Sequence, residues 1–264
     1  NTTGNPTLAP EKANTWTAGI VYRPAWLPGL GMSFDYYDIK MKGAIASVTS
    51  QQTVVQCAAG NTALCPNIIR NAAGDIIQVN LLPVNINLLA TSGFDVEVNY
   101  RTDIGPGAIT LRALASYLSK FNETDVNGIT RYRAGGIVDF VSSQPRLKSN
   151  ISVSWDQGPV SANATVRVVG SALLDTEWVE GVDVDDNTIP SLAYLDLRAS
   201  YDIETAFTQD AQLSFAISNV LNRNPARVSS VPNTTAYQVV AANTRLDLYD
   251  GMGRSYRVGL EFKF

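Results

Sequence analysis

The C-terminal segment is the feature that most restricts the fold of this chain. From Tyr256 to Phe264, apolar and polar side chains alternate without a break. Because successive side chains of a strand point to opposite faces, Tyr256, Val258, Leu260, Phe262 and Phe264 share one face, and polar residues occupy the other. The segment therefore predicts a strand with one apolar face and one face suited to water.

Alternation of the same kind recurs along the whole chain. It predicts nine strands, near residues 14–23, 31–42, 88–102, 107–121, 146–157, 160–171, 191–204, 210–220 and 253–264. Short links, at residues 24–30, 103–106, 158–159 and 205–209, alternate with long ones, at residues 43–87, 122–145, 172–190 and 221–252. Outer-membrane β-barrels have short periplasmic turns, long extracellular loops and alternating strands. We therefore predict an all-β, antiparallel transmembrane barrel with extracellular long loops and a periplasmic C terminus.

Charged residues in the predicted strands fall on one face, which we assign to the barrel lumen. A lipid-facing Arg or Lys near the bilayer midplane costs roughly 2–4 kcal/mol, so the lipid face has to be nearly free of charge. We interpret the lumen residues as a solvated, mutually paired wall rather than a substrate site. The wall includes Glu97, Arg112, Arg167 and Arg198.

Composition excludes several classes of function. The chain has no histidine and two cysteines, which removes His-based acid–base chemistry and most metal sites, so we predict no enzyme activity, cofactor or metal. A net charge of −4 argues against a nucleic-acid partner. The oxygen-rich run Asp183–Asn187 suits a calcium ion in part, but it lacks the spaced glycine and distal glutamate of an EF-hand.

Cys57 and Cys65 are separated by small and polar residues within an uncharged stretch, Gly43–Ile69. We predict a disulfide between them that pins a loop, which implies an oxidising compartment or the cell exterior. The stretch is rich in Ser, Thr, Gln, Asn and Pro, and we interpret it as a polar loop rather than a buried helix.

Two of the long loops contain residues that are candidates for contacting a ligand. The first, residues 43–87, contains Arg70 in a hairpin-like segment, and the second, residues 172–190, contains Trp178 among carboxylates. The acidic candidates near Trp178 are Asp175, Glu177 and Glu180. A Trp beside carboxylates suits a sugar or a cationic group, whereas an acidic loop that serves only solubility fits the same pattern.

Five segments resemble parts of the C-terminal barrel region of TonB-dependent outer-membrane receptors. Asn5–Glu11 resembles the NPxLxPE stretch before a mid-barrel strand, and Thr91–Asp95 resembles a strand start with Gly, an apolar residue and Asp. Ala193–Arg198 is similar to an aromatic-x-D-apolar-R strand, and Ser218–Pro225 to an NLFNxxP element. Gly253–Arg254, followed by the terminal strand, is similar to the C-terminal end of these receptors.

The resemblance implies a barrel of about 22 strands, filled by an N-terminal plug domain that engages TonB. Nine strands are too few for that barrel, and no segment resembles the plug, so we expect residues 1–264 to be the C-terminal part of a receptor barrel. The implied function is TonB-coupled uptake of a large scarce nutrient, such as a siderophore, cobalamin or an oligosaccharide. The implied partners are outer-membrane lipid, the nutrient, and the barrel-assembly machine, which would read Tyr256, Phe262 and Phe264. A surface lipoprotein is a further candidate partner.

Two other classes fit parts of the pattern. A passive porin or an autotransporter barrel would share the strands and the terminal aromatic residue, but would have no plug domain upstream. A secreted β-rich binding module would also alternate, but would turn its polar face outward and would need no detergent for extraction.

Overall fold

The computed structural model describes residues 4–47, 49–85, 88–124, 129–137, 144–203, 210–228 and 244–263. Nine long strands in these ranges are β1 (Lys12–Tyr22), β2 (Leu30–Lys42), β7 (Leu88–Ile104), β8 (Gly107–Thr124), β10 (Leu147–Gln157), β11 (Val160–Val169), β14 (Leu192–Ile203), β15 (Asp210–Ser218) and β16 (Ser255–Lys263). The short strands are β3 (Ile45–Ser47), β4 (Ile68–Arg70), β5 (Ile76–Val79), β6 (Pro83–Asn85), β9 (Thr130–Tyr132), β12 (Ala172–Leu173) and β13 (Thr188–Ile189).

The nine long strands follow one another across a single sheet in chain order, β1-β2-β7-β8-β10-β11-β14-β15-β16. The short strand β9 also pairs with β8, and the successive pairs from β8 to β16 are antiparallel. In the described part of the chain, β1 and β16 are the edges of this sheet. The nine predicted strands are therefore confirmed, with ends that differ by three residues or fewer at each terminus.

Two of the short links are Gly-Pro turns. Gly105 and Pro106 join β7 to β8, and Gly158 and Pro159 join β10 to β11. Each glycine has a positive φ, +59° and +53°, which side chains disfavour and which the first position of a two-residue hairpin turn requires. The predicted short links at these two places are confirmed, whereas the one at 205–209 lies outside the described residues.

The register places apolar residues of neighbouring strands side by side. One row crosses six strands and comprises Leu111, Val153, Ala164, Leu197, Ile217 and Tyr256. The adjacent row is polar, with Ser152 between Arg112 and Thr165, and Thr165 paired with Asp196. The sheet thus has an apolar face and a polar face, as the alternation predicts, and a slip of one residue would exchange them.

The apolar face has no buried core along these rows. Leu197 in the middle of the sheet is 38% exposed, and Tyr256 at the edge strand is 63% exposed. An apolar surface of this extent is unfavourable in water.

The chain divides into two compact units. The first comprises Asn1–Thr15, Ile39–Ala90 and Asn122–Arg131, and the second comprises Trp16–Asp38, Thr91–Phe121 and Tyr132–Phe264. The second unit contains an apolar cluster among the long connections that follow β9, β11 and β15. The buried members are Ile137, Val169, Leu174, Ile189, Tyr194, Ala226, Val228 and Tyr249.

The first unit contains a helix, α1 (Ser50–Ala58), followed by a 3-10 helix, Thr62–Asn67. The prediction of a polar loop rather than a buried helix was therefore wrong for residues 50–58 in that they form a helix, although Thr53 is its only buried residue. The signal was a capping box, in which the Thr49 side chain accepts from the Gln52 N–H while the Gln52 side chain accepts from the Thr49 N–H. None of the described helices has the length and apolar character needed to cross a bilayer.

Candidate functional site

In the first unit, the segment that precedes β1 holds the connection that follows β2. The carboxamide of Asn85 accepts from the Ala9 N–H at 2.9 Å and donates to the carbonyl oxygens of Ala9 and Gly43, at 2.9 and 2.6 Å. Glu11 accepts from the Ile45 N–H at 2.6 Å, and the Asn5 side chain donates to the Pro83 carbonyl at 2.8 Å. The Asn5–Glu11 motif is thus a clamp on the base of the 43–85 connection.

The predicted disulfide between Cys57 and Cys65 is confirmed. Their Cα atoms are 5.1 Å apart, and the bond joins the end of α1 to the 3-10 helix. Closing a loop of this size stabilises the folded connection by about 2–3 kcal/mol in the chain-entropy model. The uncharged stretch is therefore a compact, covalently closed element.

The hairpin β4–β5 follows, as the sequence predicts. Its turn is held by the Asn71 side chain, which accepts from the N–H groups of Ala73 and Asp75 at 3.0 and 2.9 Å. The Arg70 guanidinium donates to the Gly74 carbonyl at 2.8 Å, so this side chain folds back on its own hairpin. A ligand contact through Arg70 stays a prediction.

In the second unit, the acidic connection between β12 and β14 is built around Asn187, which sequence reasoning missed. Asn187 is 4% exposed. Its carboxamide donates to the carbonyl oxygens of Asp175 and Trp178, at 2.8 and 3.0 Å, and accepts from the Asp175 N–H at 3.1 Å. Its backbone N–H donates to Glu180 Oε1 at 3.0 Å. Asn187 thus contacts three of the four ligand candidates in this loop, two through its carboxamide and one through its backbone N–H.

The carboxylates of this loop accept hydrogen bonds from nearby backbone groups. Asp183 accepts from the Val179 N–H at 2.8 Å, and Asp175 accepts from the Glu177 N–H at 2.8 Å. The hydroxyl and backbone N–H of Thr188 donate to Asp186 and lower the pKa of that carboxyl below its usual value. Across the described residues, no three potential metal ligands are grouped closely enough to hold an ion.

Trp178 is partly buried and packs against the apolar cluster of the second unit. The position of its ring is therefore set by packing. By contrast, Val182 in the same loop is 81% exposed and does not take part in this packing. The stacking role of Trp178 and the ligand contacts of Asp175, Glu177 and Glu180 stay predictions.

The polar face of the sheet carries two ion pairs that involve predicted wall residues. Arg112 Nη2 lies 3.2 Å from Glu97 Oε1. Arg167 contacts Asp196 through two bonds, Nε to Oδ2 at 2.6 Å and Nη2 to Oδ1 at 3.3 Å. Arg198 is exposed and lies in the same row as Asn163 and Ala216. Its assignment to a lumen wall stays a prediction, as does that of the other three.

The residues after β15 explain the Ser218–Pro225 motif. Asn219 is fully buried at φ +52°, and its carboxamide both accepts from the Arg223 N–H at 2.8 Å and donates to the Arg223 carbonyl at 2.9 Å. Asn222 at φ +49° accepts from the Arg254 N–H at 3.0 Å. Asparagine tolerates this left-handed backbone better than most residues, so the motif forms a turn bonded to the start of β16.

The Thr91–Asp95 motif contains a glycine that a close contact requires. A Cβ atom at Gly93 would collide with the backbone carbonyl oxygen of Tyr117 and lie 2.6 Å from the hydroxyl oxygen of Tyr37; because the backbone cannot move aside easily, only glycine fits here. On the other face, Phe94 stacks against Phe34 and Tyr117 at centroid distances of 5.5 and 5.0 Å. The motif thus places a glycine on the face where neighbouring atoms come close and an aromatic ring on the face where other rings stack.

Each unit contains an open cavity lined by described residues. The cavity of the second unit has a volume of about 630 Å³ and is lined by residues of the β1–β2 turn together with Glu97 and Asn99 of β7. The cavity of the first unit has a volume of about 530 Å³ and is lined by the end of α1, the 3-10 helix and Val84.

The terminal strand β16 pairs with β15, with Tyr256 opposite Ile217 and Phe262 opposite Ala211. Tyr256 and Phe262 are both exposed on the apolar face. Phe264 lies outside the described residues. A role of these three residues as an assembly signal stays a prediction.

Comparison with known proteins gives one family and a consistent set of solved structures. The family described as TonB dependent receptor-like, beta-barrel, matches residues 1–220. No curated protein matches the chain.

Three similar solved structures have TM-scores near 0.6. The siderophore receptor PirA from Acinetobacter baumannii is 15% identical over 100% of this chain and 33% of its own, with a TM-score of 0.61. A mutant of the ferric enterobactin receptor PfeA from Pseudomonas aeruginosa, in complex with enterobactin, is 17% identical over 98% of this chain and 32% of its own, also with 0.61. A variant of the FrpB iron transporter from Neisseria meningitidis is 15% identical over 100% of this chain and 33% of its own, with 0.58. At these identities the likeness shows the fold, and the chain spans about a third of the length of each structure.

Proposed function

The chain belongs to the TonB-dependent receptor β-barrel family, and on that premise we propose that residues 1–264 form the C-terminal part of a barrel of about 22 strands. The nine-strand sheet would supply the last part of the wall. The edges β1 and β16 would leave backbone groups unpaired in lipid, where each costs several kcal/mol. We therefore propose that the other strands and a plug domain are supplied by further residues of the same receptor.

Barrels of this family are outer-membrane proteins. The exposed apolar face of the sheet supports lipid contact, and the polar face supports an aqueous lumen. We propose that the long connections are extracellular and that the C terminus is periplasmic. This orientation puts the two Gly-Pro turns on the periplasmic side.

We propose that the whole receptor takes up a large scarce nutrient in a TonB-coupled reaction. The candidates are a siderophore, cobalamin or an oligosaccharide, and TonB would act through the plug domain. The connections at 43–85 and 172–190 would contribute ligand contacts. Both are ordered by their own disulfide or hydrogen bonds, which lowers the entropic cost of binding. A surface lipoprotein would be an accessory partner.

The observation that carries this proposal is the family match over residues 1–220 together with the uninterrupted meander. We would express the full-length receptor in an outer-membrane host that lacks its own uptake systems. Labelled ferric siderophores, cobalamin and oligosaccharides would be tested in parallel. We expect saturable uptake of one class, lost when TonB is deleted.

Two outcomes would contradict the proposal. Unsaturable passage of small solutes that persists without TonB would indicate a passive porin. Recovery of the protein in the aqueous fraction without detergent would indicate a secreted binding module. A surface-biotinylation control confirms that the receptor reaches the outer membrane in the strain without TonB.

A further inference from the structure

The 43–85 connection carries an uncharged surface that the proposed function does not yet use. The stretch Gly43–Ile69 contains no Asp, Glu, Lys, Arg or aromatic residue. The cavity of the first unit, about 530 Å³, lies in this element. Its volume falls in the range of ligand pockets. The cavity is open, and its lining carries no charged side chain, so it offers no ion-pair partner to a charged ligand and favours a neutral ligand group.

Two carboxamides stand together in the cavity lining. Asn61 Nδ2 and Gln56 Oε1 are 3.5 Å apart, at the limit of a hydrogen bond. Within the described residues, the side-chain amino group of Gln56 and the side-chain oxygen of Asn61 have no further protein partner. The Gln56 amino group and the Asn61 side-chain oxygen thus remain available, and together they match an amide, whose C=O accepts and whose N–H donates.

The rest of the lining is small and apolar, and consists of Ala59, Gly60, Ala63, Leu64 and Val84. Such a floor suits methylene or methyl groups and offers no aromatic face on which a sugar ring would stack. The walls are pre-organised, because the disulfide joins α1 to the 3-10 helix and the capping box holds the start of α1. Pre-organised walls lower the entropic cost of binding.

We propose that this cavity is a binding site for an uncharged amide group with small apolar substituents, as in a neutral peptide or an amide-bearing nutrient. The proposal rests on the proposed function, since it gives the 43–85 connection a ligand contact. The Gln56 amino group donates to the ligand C=O, and the Asn61 side-chain oxygen accepts from the ligand N–H. The apolar floor covers the neighbouring substituent.

The test uses the full-length receptor in detergent micelles and calorimetry or saturation-transfer NMR. The probe is the end-blocked tripeptide N-acetyl-alanyl-glycyl-alanine amide. The comparison ligands are the same peptide with a free terminal carboxylate, and maltotriose. The double variant Gln56→Leu/Asn61→Leu removes both side-chain amides. Asn61 is the N-cap residue of the 3-10 helix, but its side chain makes no capping hydrogen bond, so the substitution removes none. Gln51→Leu, on the same helix and outside the cavity lining, is the matched control.

We expect the neutral peptide to bind the parent and the control equally, and to bind the double variant about tenfold more weakly, as the loss of two hydrogen bonds of ordinary strength predicts. Equal affinity in the double variant would overturn the proposal. Preference for the carboxylate peptide or for maltotriose, or no binding of the neutral peptide to the parent, would also overturn it. Peptide mapping that finds the Cys57–Cys65 bond in every variant excludes misfolding. TonB-dependent uptake is measured separately, so the cavity proposal can fail while the proposed function holds.

Discussion

Replacing Leu197 with Arg tests the assignment of the apolar face to lipid. Leu197 is the sixth of the twelve residues of β14, so it lies about 17 Å along the strand from Leu192 at the usual rise per residue. With a strand tilt of about 40°, this is about 13 Å along the membrane normal, close to the middle of a lipid-facing band about 25 Å tall. An Arg side chain at that depth costs about 2–4 kcal/mol.

A loss of about 3 kcal/mol corresponds to a change of more than a hundredfold in the folding equilibrium constant. The assay is urea-dependent folding of the full-length receptor into phospholipid vesicles, followed by heat-modifiable mobility on gels. Ser200→Arg is the matched control, because Ser200 lies on the polar face of the same strand between Ser161 and Ser214. We expect the control to lose less than about 1 kcal/mol, as surface substitutions usually do.

Equal losses in the two variants would refute the assignment of the faces. A third variant, Leu197→Ala, separates the insertion of charge from the loss of the leucine side chain. We expect it to cost clearly less than Leu197→Arg, because it removes apolar surface without placing a charge in lipid.

The remaining predictions concern the loops and the terminal strand. Replacing Cys57 and Cys65 with Ser should destabilise the 43–85 connection by about 2–3 kcal/mol, seen as faster hydrogen exchange and proteolysis there while barrel mobility on gels stays unchanged. Asn187→Ala should expose the 172–190 connection to exchange, because it removes three side-chain hydrogen bonds from a buried site; unchanged protection would contradict its organising role. Burial raises the pKa of Tyr249 from 10.0 to about 12. The stabilisation that this burial gives to the neutral phenol is therefore fully present below pH 10 and is lost as the pH rises through about 12. A phenolate absorbance titration, compared with that of Tyr249→Phe, should show one tyrosine that ionises late, and the absence of this late step would refute the burial of its hydroxyl. Deletion of Phe264 should reduce the amount of assembled receptor and leave ligand affinity per assembled molecule unchanged; normal assembly with lost binding would contradict the assembly role.

Part of the site was predictable because its signals are local. The capping box of Thr49 and Gln52 is readable at a spacing of three residues, although the polar composition of the stretch by itself indicates a loop. Asn187 had no such signal. A buried amide that bonds to residues nine and twelve positions away looks in the sequence like any loop asparagine.

The sequence by itself determined the strands, their two faces, the Gly-Pro turns and the disulfide. Strand faces follow from a period of two, turns from the φ preferences of two residues, and the disulfide from two cysteines close together in the chain. The tertiary structure decided which partners each polar side chain takes. Asn85 bonds to Ala9, and Arg167 to Asp196, through contacts that exist only after distant segments pack. No periodic pattern in the sequence predicts these contacts, because any donor and acceptor of suitable length could form them. Only the folded backbone brings a particular pair within 3 Å.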